Sequence, residues 1–151
     1  MKAFRFSLEP VLSYRRQVEE MRRREFALAF RATQEHLQRL QGLFAEEARA
    51  KEELRVLEGR RLELAPVLAL RRWLTAVGRK IVQAREQVQR RSEEQAAARA
   101  AYVKASRDRR VLERLRERRH ADWSRAEARE EQKVMDEVAG RKWGDARGAM
   151  A

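Results

Sequence analysis

The sequence contains no cysteine, so disulfides, thiolate nucleophiles and thiolate metal ligands are excluded. Proline is scarce as well: only Pro10 and Pro66 occur, and six glycines complete the set of residues that interrupt helices. The longest apolar run, residues 64–70, includes Pro66 and is far shorter than the roughly 20 residues that cross a bilayer. The amino-terminal segment lacks the apolar core of a secretory signal, and we expect a cytoplasmic protein.

Motifs for chemistry are also missing. The glycine-rich loops that bind phosphates or dinucleotides do not occur. His36 and His120 each stand alone, without a second ligand at metal-binding spacing, and the adjacent carboxylates of Glu130–Glu131 and Asp136–Glu137 lie in a charged, water-exposed context. A general acid needs shielding that such residues lack. The sequence therefore predicts no enzyme, no cofactor and no metal.

Charge is abundant. Asp, Glu, Lys and Arg make up 40% of the chain, and the net charge is +12. Charged residues combined with many alanines and leucines are typical of long helices and coiled coils. A basic chain favours acidic partners: nucleic acid, an anionic membrane or an acidic protein surface. A basic coiled coil that binds nucleic acid, or a passive scaffold, is thus an alternative function, although the glutamates interleaved with the arginines argue against nucleic acid.

The distribution of helix signals predicts an all-α fold with two long helices in one antiparallel coiled-coil hairpin, residues 1–140. Ser7 is the expected N-cap of the first helix, 7–64, and Phe6 and Val11 the expected hydrophobic staple. Pro66 breaks the helix, so the turn is expected near it, followed by a second helix, 67–138. Residues 141–151 are expected to form a flexible tail.

The apolar spacing predicts how the two helices pack. In the first helix it begins with Val11, Tyr14, Val18 and Met21 and follows a heptad repeat with slips. In the second helix the seam is predicted to begin at Trp73 or Leu74 and to include a polar stretch around Arg91 and Gln95. Its other predicted members are Val77, Ile81, Ala84, Val88, Ala98, Tyr102, Ala105, Leu112, Leu115 and Trp123. Reflection at Pro66 places residue i opposite residue 131 − i, which pairs Leu8 with Trp123. The second helix then extends past the first over residues 127–138, which are poor in apolar residues.

The hairpin end has a distinct composition. Nine basic residues and only two acidic ones, Glu63 and Glu86, lie between Arg60 and Arg91, together with several apolar side chains. Such a mixture suggests either a docking surface for an acidic partner or a well-packed hairpin core.

Four sequence segments resemble the FliJ family of flagellar type III export proteins, and together with the length and the hairpin pattern they extend over nearly the whole chain. They are Phe4-x-Phe6-x-Leu8-x-x-Val11-Leu12-x-x-Arg15, Trp73-Leu74-x-x-Val77-x-x-x-Ile81, Leu112-Glu113-x-Leu115-x-Glu117-Arg118 and Asp136-Glu137-x-Ala139. The chain departs from the family pattern in its tryptophan at position 73 and in its high arginine content. Stalk proteins of injectisomes share the same shape and role.

The resemblance implies a stalk-like protein that binds the hexameric flagellar export ATPase through the end that holds both termini. It also implies contact with the cytoplasmic domain of the export-gate membrane protein, escort of export chaperones, and a peripheral location at the inner face of the cell membrane. The residues expected to bind the ATPase ring are Phe4, Phe6, Leu8, Trp123, Met135, Asp136 and Glu137. Those expected to bind the gate are Leu40, Phe44, Trp73, Val77 and Ile81.

Overall fold

The computed structural model describes residues 2–60 and 63–150, and these residues form two helices. Helix α1 spans Glu9–Glu58 and helix α2 spans Leu64–Met150. The described residues contain no strand. The predicted fold class, all-α with two long helices in an antiparallel hairpin, is confirmed. Neither helix has a segment long and apolar enough to cross a membrane within the described residues.

The chain divides into two units, one formed by residues 2–17 and 106–150, and the other by residues 18–105. The helices run antiparallel in each. In the first unit, called the terminal unit, Glu9 contacts Arg116 and Arg15 contacts Asp108. In the second unit, called the turn unit, Phe26 stacks on Tyr102 and Glu58 pairs with Arg71. In both units, residues later in α1 contact residues earlier in α2.

The start of α1 lies slightly later than predicted. The Leu12 N–H donates to the Leu8 carbonyl oxygen at 2.9 Å, and the Glu9 N–H donates to the Phe6 carbonyl oxygen at 3.1 Å. Leu8 therefore occupies the N-cap position, and the prediction of Ser7 was wrong by one residue. This shift of one residue also changes the staple. Leu12 is fully buried and Val11 is exposed, so the predicted staple of Phe6 with Val11 is wrong. With Leu8 as N-cap, the residue before the cap is the polar Ser7.

The turn lies before Pro66. Helix α1 ends at Glu58, where the Gly59 N–H donates to the Arg55 carbonyl oxygen at 3.2 Å. The predicted helix end at residue 64 is therefore too late, and residues 61 and 62 lie outside the described chain. Helix α2 begins at Leu64 and holds Pro66 in its first turn, where a missing N–H leaves no hydrogen bond unmade.

Helix α2 also ends later than predicted, at Met150 instead of residue 138. Gly140, Gly144 and Gly148 lie inside this helix with φ angles in the ordinary helical range. Each glycine weakens a helix by about 1 kcal/mol relative to alanine, which does not outweigh the alanine, arginine and lysine residues between them. The mobility predicted for residues 141–151 stays a prediction.

The earlier turn shifts the pairing between the helices. Reflection at Pro66 predicted Arg15 and Arg16 opposite residues 116 and 115, whereas they pair with Asp108 and Glu113. Likewise, Trp123 packs against Phe4, with ring centroids 5.9 Å apart, although Leu8 was the predicted neighbour. All of these partners lie at lower numbers than predicted because the chain reverses before Pro66.

The side of α1 that faces α2 is an unbroken heptad series. From residue 12 to residue 57, every position at alternating steps of three and four is buried or half-buried. The series comprises Leu12, Arg15, Glu19, Arg22, Phe26, Ala29, Thr33, His36, Leu40, Leu43, Glu47, Ala50, Leu54 and Leu57. The predicted slips were therefore wrong, and Val11, Tyr14 and Met21 lie outside the seam.

The seam of α2 follows the predicted residues closely, except that Trp73 is 47% exposed and lies outside it. Leu74, Val77, Ile81, Ala84, Val88, Ala98, Tyr102, Ala105, Leu112, Leu115 and Trp123 are all buried or half-buried. In the turn unit, Leu43, Val77, Ile81 and Ala84 form a buried cluster, with Leu40 packed against it. This small cluster is the apolar core of that unit, because few other large side chains are buried there.

Further from the turn, the seam of the turn unit becomes polar. Thr33 is buried, and its Oγ1 lies 3.0 Å from the Ala29 carbonyl oxygen and 3.1 Å from the Arg91 carbonyl oxygen. The hydroxyl can donate its single proton to either acceptor. The bond to Arg91 links the two helices at a position where a coiled coil ordinarily buries leucine or isoleucine.

Replacing Thr33 with valine tests this contact. Valine has nearly the same shape and helix propensity but cannot donate, so the free energy of unfolding should fall by about 1 kcal/mol. Thr75→Val is the matched control, because the Thr75 hydroxyl is exposed and donates only to Arg71 in its own helix. Urea unfolding followed by circular dichroism measures both. Equal losses in the two variants would contradict an inter-helix role for Thr33.

Candidate protein-binding surfaces

The titratable side chains of the described residues lie mainly on the helix surfaces. No group of three His, Asp or Glu side chains is placed to hold a metal ion in this part of the chain. His120 packs its ring edge-on against Phe4, with centroids 5.0 Å apart. Among the described residues, hydrogen bonds from Arg23 and Arg24 lower the pKa of the Glu20 carboxyl group to about 2. The Glu20 side chain is 43% exposed, as expected for a helix-surface ion pair. The functional candidates are therefore surfaces.

The first surface is the segment of α2 that continues beyond α1. In the terminal unit, residues Phe4–Leu8 pack beside Leu115, Arg119 and Trp123. Beyond Glu127, every described residue of α2 up to Met150 is exposed. We call residues 124–150 the overhang. In the overhang α2 is a helix without a packing partner.

An apolar stripe runs along the overhang. Val134, Met135 and Val138 are 59%, 70% and 48% exposed, and together with Glu127, Glu130 and Glu131 they line one shallow groove. Their spacing of three and four residues places them on one side of the helix. We call these six residues the overhang stripe. It combines an apolar centre with carboxylates on its amino-terminal side, which suits a partner that carries apolar and basic groups.

The residues predicted to bind an ATPase ring fall into two groups. Met135, Asp136 and Glu137 are exposed on the overhang, and the Gln132 side-chain amide donates to the Asp136 carboxylate at 3.0 Å. Phe4, Leu8 and Trp123 are half-buried, and Phe6 is buried, all within the packing of the terminal unit. These four residues position the start of α1 against α2. Of the residues predicted to bind the ring, only the three on the overhang are freely accessible.

The second surface lies in the turn unit, where the predicted gate-binding residues divide in the same way. Val77 and Ile81 belong to the buried cluster, and Leu40 packs against it. These side chains cannot reach a partner while the helices are paired. Phe44 and Trp73 remain exposed at 37% and 47%. Arg85 lies 5.3 Å from the Phe44 ring centre, and the Lys80 Nζ lies 5.6 Å from the Trp73 ring centre.

The second surface is therefore aromatic and basic. A cation above an aromatic ring is attracted by the ring quadrupole. We call Phe44, Trp73, Lys80 and Arg85 the cation–aromatic patch. An acidic partner with apolar side chains would match it in charge.

Sequence reasoning missed Val134 and Val138 as members of the first surface. Their signal was present: two valines four residues apart, next to Met135, in a segment that reflection at the turn leaves unpaired. From the sequence, this segment contains few apolar residues and is predicted to need a partner, but the stripe itself is not identified.

Comparisons with known proteins give one result. Neither the curated proteins nor the solved structures provide a match to this chain. The family model described as "Flagellar FliJ protein" matches residues 4–148, which include α1 and all but the last residues of α2. Since the match extends over nearly the full 151 residues, the chain belongs to the FliJ family of flagellar export proteins.

Proposed function

We propose that this protein is a non-catalytic, stalk-like component of the flagellar export apparatus that binds the hexameric export ATPase through the overhang. The single observation that carries the proposal is that the overhang is helical yet buries none of its side chains beyond Glu127. A lone amphipathic helix of this length gains little stability from its own hydrogen bonds, so a partner that covers the stripe would stabilise it. The position of both chain ends in the terminal unit agrees with the family expectation for the ring-binding end.

The chemistry of the overhang stripe suits a ring. Several near-identical subunits must accept the same helix, so deep pockets that fit one side chain in one orientation would be unfavourable. Three exposed apolar side chains next to three glutamates provide a shallow, charged contact of the kind that tolerates repetition. A weak contact with each subunit is the expected consequence.

We place the contact with the cytoplasmic domain of the export-gate protein at the cation–aromatic patch in the turn unit. The support is its exposed tryptophan and phenylalanine, each beneath a cation, in a region with nine basic and two acidic residues from Arg60 to Arg91. Exposed tryptophan is among the residues most often found at the energetic centre of interfaces. Binding at both surfaces would keep the protein at the inner face of the membrane, without a span of its own.

The ATPase interaction is tested with purified proteins. Addition of the wild-type chain should raise the ATPase activity of the cognate export enzyme and its hexamer fraction. The double substitution Val134→Ser/Val138→Ser should reduce the apparent affinity at least about tenfold, because it removes the apolar centre of the overhang stripe. Steady-state hydrolysis rates across a titration of the chain measure the effect.

Val82→Ser/Val111→Ser is the matched control, since both valines are exposed and lie outside the overhang. It should behave as wild type, and circular dichroism should show equal helix content in all three proteins. If the folded wild-type chain changed neither the hydrolysis rate nor the hexamer fraction, the ring-binding function would be rejected. Tight, salt-sensitive binding to nucleic acid in the same preparation would support the alternative.

A further inference from the structure

The charges of the overhang are divided along its length. Residues 127–137 contain five acidic side chains against Arg129 and Lys133, and residues 138–150 contain three basic side chains against Asp145. The apolar centre of the overhang stripe, Val134, Met135 and Val138, lies where the two halves meet. The overhang is thus acidic, then apolar, then basic.

This order is self-complementary when two copies are antiparallel. If Val134 of one copy lies opposite Met135 of the other, Glu127 lies opposite Lys142, and Glu131 opposite Val138. The same relation holds at the other end by two-fold symmetry, which makes the contact isologous. Within the described residues, Glu127, Glu131, Arg141 and Lys142 have no ion-pair partner in their own chain. A parallel arrangement would place glutamates opposite glutamates.

We propose that the overhang is a self-association surface: two copies of this chain pair antiparallel through the overhang stripe, with Lys142 of each copy facing Glu127 of the other and the basic half of each overhang beside the acidic half of the other. The proposal does not rest on the function in export, because it depends only on the exposed stripe and the charge order. If both hold, the two contacts compete for the same side chains. Pairing then covers the apolar stripe of free protein until the ring displaces the second copy.

The contact is small, so it is weak. Three apolar side chains and a few exposed ion pairs bury much less than the roughly 1,200 Å² of a stable interface. Association is therefore expected near roughly 0.5 mM chain and absent near roughly 5 μM, and it should weaken as salt screens the charges.

Charge reversal provides the test. Glu127→Lys/Glu131→Lys makes both halves basic, and Arg141→Glu/Lys142→Glu makes both acidic. Each variant alone should show a dissociation constant at least tenfold higher than that of wild type in sedimentation equilibrium. An equimolar mixture of the two variants should associate again, because a basic overhang then faces an acidic one. The chain with all four substitutions should pair with itself. Arg125→Glu/Arg129→Glu is the matched control, because both side chains lie about half a turn away from the stripe and should leave association unchanged.

Orientation is measured separately. The chain lacks cysteine, so Ser124→Cys in one pool and Asp145→Cys in another can each carry one fluorophore. Antiparallel pairing brings these two positions opposite each other, and energy transfer between the pools should exceed that between two pools both labelled at position 124. A wild-type chain that stays monomeric at 0.5 mM, or associates equally well after either reversal alone, would overturn the proposal. Loss of ATPase stimulation without loss of association would reject the ring contact and leave the self-association intact.

Discussion

Replacing Val77 with aspartate is expected to unfold the turn unit, lowering its free energy of unfolding by more than about 3 kcal/mol. Val77 is 0% exposed and belongs to the small cluster with Leu43, Ile81 and Ala84. A carboxylate at this position is removed from water without a partner, and no neighbouring apolar group can compensate its lost hydration. Since few large side chains are buried in this unit, the remaining core residues cannot compensate for this loss of stability.

Val82→Asp is the matched control for this experiment. Val82 lies five residues further along the same helix and is 57% exposed, so the same substitution changes helix propensity equally but leaves the new carboxylate in water. Thermal unfolding and hydrogen exchange read by segment measure both variants. Protection should be lost around residues 40–50 and 77–84 only for Val77→Asp. Similar midpoints for the two variants would mean that the proposed cluster does not hold the helices together.

Replacing Trp73 with alanine is expected to weaken binding to the cytoplasmic domain of the cognate export-gate protein by at least about tenfold. The tryptophan ring supplies a large apolar contact and, with Lys80 above it, a basic group at the same place. Isothermal titration calorimetry with the isolated gate domain measures the change. Stimulation of the export ATPase should remain at the wild-type level, because the substitution lies in the turn unit.

A second exposed tryptophan gives a matched control. Trp143 on the overhang is 67% exposed, and the Arg147 guanidinium lies 5.0 Å from its ring centre. Trp143→Ala therefore removes the same side chain from a similar cation–aromatic pair, and gate binding should not change. Equal losses of gate affinity in both variants would show that the gate does not bind at the cation–aromatic patch.

The seam of α2 could be predicted from the sequence because its heptad positions carry apolar or small residues nearly throughout. Even the polar stretch around Arg91 and Gln95 was located correctly, and Thr33 with the Arg91 carbonyl shows how it is accommodated. In this helix hydrophobic spacing and burial coincide, so the periodicity alone identified the buried side.

The first part of α1 could not be predicted in this way. Its seam positions hold Arg15, Glu19 and Arg22, whose charged ends reach solvent or a partner while their stems lie along the other helix. Arg15 pairs with Asp108 across the helices. The apolar residues Tyr14 and Met21 stay outside, so a search for the most apolar stripe selected the wrong side of the helix.

The position of the turn decides which side chains of α2 are unpaired and therefore available as a binding surface. Proline is tolerated in the first turn of a helix, so Pro66 marks a position after the reversal and not the reversal itself. A small error there shifts every pair of facing residues and changes which side chains of α2 have a partner. The sequence also could not tell which apolar residues are exposed, because Trp73, Val77 and Ile81 belong to one apolar pattern. The structure shows that Val77 and Ile81 are buried and that Trp73 is exposed.

The placement of both chain ends in one unit has a practical consequence. A fluorescent protein or affinity handle fused to either end is attached in the terminal unit, so it would obstruct the proposed contact with the ring whichever end is chosen. Reporters for this protein are better carried as a small dye on a single engineered thiol in the turn unit, away from the cation–aromatic patch. Fusions at the two ends should impair ATPase stimulation alike, and such a dye should not.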